Sequence, residues 1–358
     1  PFADHGPDGE QTDIGLIFHS RHAAEEHAEH EDCNDYDEDF EEEEEAVVSS
    51  YFNDFSVGNF MALSKLNRLD DLEELLAKSD KYKRAVEQYK NTHALFEDQE
   101  FRPGEQALMG YSVDEKERQR MGRYHFERSD VYFDADIKVY NNLSSQDILQ
   151  GELGDCYFLA AISSIAEHPD RLKRIILCKE NKGDGIYAVA MCLNGVWEEV
   201  LLDDYAPCRS DNKLAFNSSK FNELWVVLLE KAWAKVHGGY LNIEAGLTRE
   251  ALRDLTGASA KTYFLKQKPE SIWKRLMEAE KTNFIMTAGS DNLSGGSDVY
   301  IPKIGIAGSH AYSLLSVYQL KEDNGQYRLT GEGEEYSVRL LKLRNPWGKG
   351  EWKGAWCD

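Results

Sequence analysis

The sequence predicts an α+β protein of two lobes behind an acidic lead segment. Three observations carry that expectation. Apolar residues recur at helical spacing through the first half and in strand-like runs through the second. The dipeptide Asn194-Gly195 divides the apolar runs of "IYAVAMCLNGVWEEVLL", a hairpin signal because a type I′ turn wants positive φ at both central positions. The formal charge of −24 is also concentrated: residues 1–50 hold 18 acids and one base, Arg21, for a net of −17.

In chain order, residues 1–50 end in "DYDEDFEEEEE". Like charges at that density repel and cannot bury a core, so disorder is expected. His19, His22, His27 and His30 stand among these acids, either as a metal-binding helix or, the stronger reading, as part of a solvated tail. From Met61 to about His93, Leu63, Leu66, Leu69, Leu72 and Leu76 recur among charges, so residues 51–94 read as a helical extension without visible chemistry. "KFNELWVVLLEKAWAKVHGG" reads as a buried amphipathic helix stopped by Gly238 and Gly239. Phe284–Ala288, Tyr312–Val317 and Val338–Arg344 read as strands, with "PESIWKRLMEAEK" as a helix before them. A hinge near Gly246 separates the lobes, 95–247 and 248–358.

Composition removes several classes. An apolar fraction of 41% with 11% aromatics suits a folded chain. No run of about 18 apolar residues is present, so no membrane span is expected. No secretory signal pattern precedes the chain, and Pro1 is not a translation start, which implies processing or a fragment. Cys33, Cys156, Cys178, Cys192, Cys208 and Cys357 are scattered without CxxC spacing. That fits a reducing compartment, with most of them acting as small core hydrophobes. Clustered Lys and Arg, which a nucleic-acid partner would need, are missing.

Chemistry concentrates in three segments. In "QGELGDCYFLAA", Gly151 and Gly154 let backbone approach a ligand, and Phe158, Leu159, Ile162, Ile165 and Ala166 have helical spacing. Asp155 fits an N-cap, which places Cys156 in the first turn. There the helix dipole favours an anion, and a thiol pKa can fall from about 8.5 to roughly 3.5–7.5. A lone cysteine before an apolar helix is more often core filling. Gln150 adds weight, since its amide can donate into an oxyanion hole. "GSHAYSLLSV" sets His310 at a strand start with room left by Gly308; alone, such a histidine is more often a core residue. "LKLRNPWGKGEW" ends a strand at Asn345, with Pro346 stopping the pairing and Trp347 following. An Asn carbonyl can hold an imidazole tautomer while Trp347 shields the bond, as in a Cys-His-Asn site. Together the three describe a thiol protease. A transglutaminase-like acyltransferase fits less well, because its third member is usually an aspartate.

At these residues the chain resembles the calpain family of cysteine proteases. "LFEDQEF", "DIKVY…SSQDI" and "FNELWVVLLEKAWAKVHGGY" are similar to further landmarks of that family, and the resemblance runs from Leu95 to Asp358. It implies a papain-like core of two subdomains, the second cut short at Asp358. Cys156 would be the nucleophile and His310 the base, with Asn345 orienting the base, Trp347 screening that pair and Gln150 donating to the oxyanion. The resemblance also implies calcium, which takes about six to eight oxygens. Asp147, Glu223 and the backbone oxygens near Tyr140 and Asn142 match one site; Glu351 and Asp358 match part of a second. Any one of these acids alone would be a solvated surface charge. Calpains are intracellular endopeptidases that cut proteins at limited sites, so a cytoplasmic enzyme with protein substrates is implied. Regulatory domains or subunits outside this sequence are implied as well. The rival expectation is a catalytically idle scaffold, for example in a cytoskeletal assembly. Three departures stand out: Tyr157 where tryptophan is usual, Ser309 for the glycine common before the histidine, and Ser145 where some members carry an arginine coupling the lobes.

Overall fold

The computed structural model describes residues 13–18, the helical positions Leu72 and Leu75, and residues 80–358 apart from 91, 93, 113, 135, 264–268, 291–298, 332, 351 and 358. Most of the acidic segment, with His19, His22, His27, His30 and Cys33, lies outside the described residues, as does most of the helical stretch expected from Met61. Within the lead segment, the apolar run "DIGLIF" forms strand β1 (Asp13–Phe18).

The first lobe opens with helix α1 (Lys81–Tyr89), whose buried Ala85 clusters with Phe96 and Ile186. Helices α2 (Glu105–Met109) and α3 (Glu115–Met121) follow. Asp114 caps α3 by accepting from the N–H groups of Lys116 and Glu117, satisfying two of its unbonded donors. Short strands β2 (His125–Glu127) and β3 (Ile148–Gln150) flank helix α4 (Ser129–Tyr132) and a 3₁₀ turn at Ser145–Asp147. Helix α5 (Cys156–Ala166) is buried at all eleven positions. Its residues are small or apolar and uncharged, so it has no face that water would keep, and it becomes the axle of the lobe. Helix α6 (Pro169–Ile175) leads into the hairpin β4 (Tyr187–Leu193) and β5 (Val196–Leu202). The turn is the one expected, with Asn194 at φ 52° and Gly195 at φ 83°. Strands β6 (Ala206–Cys208) and β7 (Asn217–Ser219) pair with β2 and β3, and helix α7 (Trp225–Val236) packs behind. Phe158 of α5 stacks on Trp233 of α7, their centroids 5.2 Å apart. Trp233 Nε1–H also donates to Tyr157 Oη at 2.9 Å, so the departure at Tyr157 is absorbed by a hydrogen bond between the two helices. Gly246 lies against the same ring, where a Cβ would come within 2.5 Å of Tyr157 Cζ.

Helix α8 (Thr248–Thr256) packs on α5 and β4 and ends at Gly257 in the left-handed region. The second lobe sets helix α9 (Pro269–Lys281) against a mixed-length antiparallel sheet. Strand β8 (Met286–Gly289) precedes a small pair, β9 (Val299–Ile301) with β10 (Ile306–Gly308). The long β11 (Ala311–Asp323) borders β13 (Val338–Arg344) on one edge; on the other it meets β8 at its start and β12 (Gln326–Leu329) at its end. β1 adds to the outer edge of β13. Trp273, Tyr312, Leu314, Val317, Leu341 and Leu343 form the core between helix and sheet. Burying each such side chain contributes about 1.5–3 kcal/mol. The strands expected at 312–317 and 338–344 and the helix at 269–281 are all present, with the former extended to Asp323.

Polar bonds fasten the lobes together. Ser313 Oγ donates to the Ala160 carbonyl at 3.0 Å, and Ser164 Oγ donates to the Met286 carbonyl at 2.7 Å. Arg344, 1% exposed, reaches Ser163 Oγ and, at 2.5 Å, the Ile148 carbonyl. Gln150 N–H donates to the Pro346 carbonyl at 2.9 Å.

Candidate active site

Cys156 is the first residue of α5 and 9% exposed, and no disulfide engages it. Asp155 occupies the N-cap position as expected, but its side chain does not cap. Its backbone carbonyl accepts from Phe158 and Leu159, while the carboxyl turns inward and is fully buried. Cys178, Cys192 and Cys208 are buried, and burial pushes the thiols of Cys178 and Cys208 up to about 11 and about 12, as inert core cysteines require. Cys357 is exposed.

His310 precedes β11, 2% exposed, and its Nε2 lies 2.9 Å from Asn345 Oδ1. The orientation of the Asn345 amide is fixed twice more: Oδ1 accepts the Trp347 N–H at 3.0 Å, and Nδ2 donates to the Lys349 carbonyl at 3.1 Å. With an oxygen facing it, Nε2 must carry the proton, which leaves Nδ1 as the basic nitrogen of the neutral ring. The Trp347 ring sits 4.5 Å from the imidazole, and Tyr312 meets it edge-on at 5.0 Å. Ser309, just before, is held at φ 52°, which explains why a glycine suits that position.

The Ser313–Ala160 bond relates this group to the cysteine. Three residues back along the chain from Ser313 is His310; four residues, about one helical turn, back from Ala160 is Cys156. Gln150 closes β3, its Nε2 donating to the Leu153 carbonyl at 2.9 Å and its Oε1 buried. One amide N–H is therefore committed to the loop before the cysteine.

The sequence model of the family described as calpain family cysteine protease matches residues 96–358. The chain belongs to the calpain family. It is 35% identical over 278 residues to a calpain-type cysteine protease DEK1 of Zea mays, covering 74% of this chain and 12% of that protein. It is 33% identical over 223 residues to calpain-9 of Homo sapiens, covering 62% and 31%. To the calpain-1 catalytic subunit of Mus musculus it is 35% identical over 225 residues, covering 62% and 30%. The chain thus spans less than a third of the length of each of these relatives.

Of the calcium candidates the resemblance implied, Glu223 lies beside the backbone of Asn142, and its charge bears on Asp147. Glu223, 3% exposed, accepts from the Asn141 N–H at 2.9 Å and the Asn142 N–H at 3.4 Å through Oε1, and from Trp225 Nε1–H at 3.1 Å through Oε2. Asp147 is 5% exposed, and burial together with the Glu223 charge pushes it up to about 6. Both carboxyls are hard oxygen donors of the kind calcium takes, and an ion there would replace the N–H donors that Glu223 now accepts from. Glu351 and Asp358 lie outside the described residues. Among the described residues no three His, Cys, Asp or Glu side chains cluster as a metal site, and no helix is long and apolar enough to cross a membrane.

Several groups at the site were not singled out from the sequence. Arg344 precedes Asn345 and carries the second lobe into the first; a charged residue closing an apolar strand was the available signal. Ser313 and the Lys349 carbonyl gave no signal at all.

Proposed function

We propose that this chain is the protease core of an intracellular cysteine endopeptidase that cuts proteins through a Cys156–His310–Asn345 triad. The observation that carries the reading is the Asn345 amide held by three hydrogen bonds, whose Oδ1 accepts from His310 Nε2–H and so reserves Nδ1 as the base. Placement of Cys156 in the first turn of a buried helix supports the same role, since the positive end of the helix dipole there favours the thiolate.

His310 Nδ1 takes the Cys156 thiol proton, the thiolate sulfur attacks the peptide carbonyl carbon, and the carbonyl π pair moves to oxygen. The backbone N–H of the first helical turn and the remaining Gln150 N–H are the donors for that oxyanion. As the tetrahedral species collapses, His310 Nδ1–H protonates the departing amine and the thioester remains. His310 then takes a proton from water, whose oxygen attacks the thioester, and the thiol is released. Asn345 holds the imidazole in one tautomer throughout, and Trp347 keeps water from that bond.

Asp147, Glu223 and backbone oxygens at Tyr140 and Asn142 would hold calcium in the first lobe, with Glu351 and Asp358 contributing to a second site. The ion would supply positive charge where two buried acids now oppose each other, steadying the loop that leads to Gln150. An epoxide thiol probe, applied with and without calcium and mapped by mass spectrometry, tests the reading. Labelling of Cys156 that rises with calcium, and loss of casein cleavage by at least 10³-fold in Cys156→Ser with an unchanged melting profile, are expected. No labelling under either condition would leave the scaffold reading in place.

A further inference from the structure

Asp155, which precedes the nucleophile, and Glu230 are both buried, and among the described residues neither has an ion-pair partner. Asp155 is 0% exposed, and neither of its carboxyl oxygens meets a donor; Glu230, 2% exposed on α7, leaves Oε1 without one. As two carboxylates they would be acceptor against acceptor in a dry interior, which is among the costliest arrangements a core can hold. With a proton between them, the same two groups hydrogen-bond. Other groups bear on the pair from neighbouring elements. Tyr240 and Glu244 approach from the turn after α7, Tyr157 from α5, and Asn217 from β7. Arg120 is not available to the acids, since it binds Glu244 through both guanidinium nitrogens, Nη1 at 2.8 Å and Nη2 at 2.5 Å.

We propose that Asp155 and Glu230 are a positioning pair that retains a proton at the start of the active-site helix and keeps negative charge off the residue bonded to Cys156. The proposal rests on Cys156 being the nucleophile. Burial and the neighbouring Glu230 push Asp155 well above the usual carboxylate range, whereas Glu230 is pushed up to about 7 by burial. The arrangement that keeps charge away from the sulfur gives up its first proton from Glu230. The product is a neutral Asp155 O–H donating to a Glu230 carboxylate on a different helix. The reverse arrangement would set an anion one residue from a sulfur that must itself ionise. A unit charge a few ångströms away, at an effective dielectric of about 20, shifts such an equilibrium tenfold or more.

Two isosteric amides separate this from a packing role. In Glu230→Gln the new N–H donates to Asp155 and stabilises its carboxylate beside Cys156. In Asp155→Asn the N–H donates to Glu230, and the charge stays on α7. The readout is the rate of Cys156 alkylation by iodoacetamide between pH 5.5 and 9, on the full chain. We expect Glu230→Gln to react at least tenfold more slowly than wild type near neutral pH, with its profile displaced to higher pH. Asp155→Asn is expected to stay within about threefold. Equal effects, or the opposite order, overturn the proposal. A wild-type Cys156 no more reactive than the same thiol in the unfolded chain removes the nucleophile reading and the proposal with it. Should either amide variant fail to fold, infrared spectra of Asp147→Asn at pH 6 decide. A protonated-carboxyl stretch from a buried group supports the pair, and its absence overturns it.

Discussion

Around His310, polar atoms find neutral partners: the imidazole bonds Asn345, and Asn345 bonds the Trp347 amide and the Lys349 carbonyl. In the Cys lobe acid bears on acid, Glu223 on Asp147 and Glu230 on Asp155. One lobe presents a site built from hydrogen bonds to an amide and to backbone groups. The other keeps carboxyls in places where they must be protonated or neutralised by a cation. The acids that burial pushes up beside a second acid therefore belong to the Cys lobe, while the His/Asn lobe holds its imidazole by an amide.

The comparison breaks most visibly if the neutral bonds are cut. Asn345→Ala frees the imidazole to adopt the wrong tautomer, and peptide cleavage should fall by roughly 10² or more while probe labelling of Cys156 persists. Next in size is Arg344→Met, which removes the guanidinium from the Ile148 carbonyl and Ser163 Oγ across the seam. A loss of roughly 2–4 kcal/mol in denaturant unfolding is expected, with activity falling in step.

Acidity sharpens the contrast. Asp147 and Glu230 hold protons in the folded state up to about 6 and about 7, above their unfolded values near 3.8 and 4.5. Their stabilising contribution is fully present below the unfolded values and is lost as pH rises through the folded ones. Thermal melts should therefore decline between pH 4 and 7. Asp147→Asn should recover roughly 2 kcal/mol at pH 7.5, as should calcium in the unaltered chain. The smallest effect expected lies in the His/Asn lobe. Ser309→Gly relieves a non-glycine residue at φ 52° and should raise stability by roughly 0.5–1 kcal/mol, with the pH dependence of the melt unaltered.

What the sequence made legible follows from locality. Helix α9 and strand β13 match their expected bounds because their periodicity is complete within a dozen residues. Asn194-Gly195 announced its turn through backbone preference alone. The three chemical segments were readable because each compresses an unusual residue, a permissive glycine and a strand or helix boundary into a short run. Pairings across the fold were not readable. Asp155 and Glu230 stand 75 positions apart, and either acid alone resembles a cap or a surface charge. The inward turn of Asp155 overrides its capping preference because an acid on another helix shares its proton, and no local pattern encodes that. Gln150, expected to donate to the oxyanion, also gives one N–H to the Leu153 carbonyl, a bond that no residue pattern announces.

Gly151 has no side chain and takes no part in the chemistry, yet a methyl group there would lie 2.3 Å from the Ala215 carbonyl oxygen and 2.5 Å from that of Phe216. Both obstacles are backbone and cannot swing aside. In a saturation-mutagenesis screen, position 151 should tolerate replacement as poorly as position 156. A ranking of residues by chemical reactivity would therefore misjudge where inherited loss of function arises in this gene.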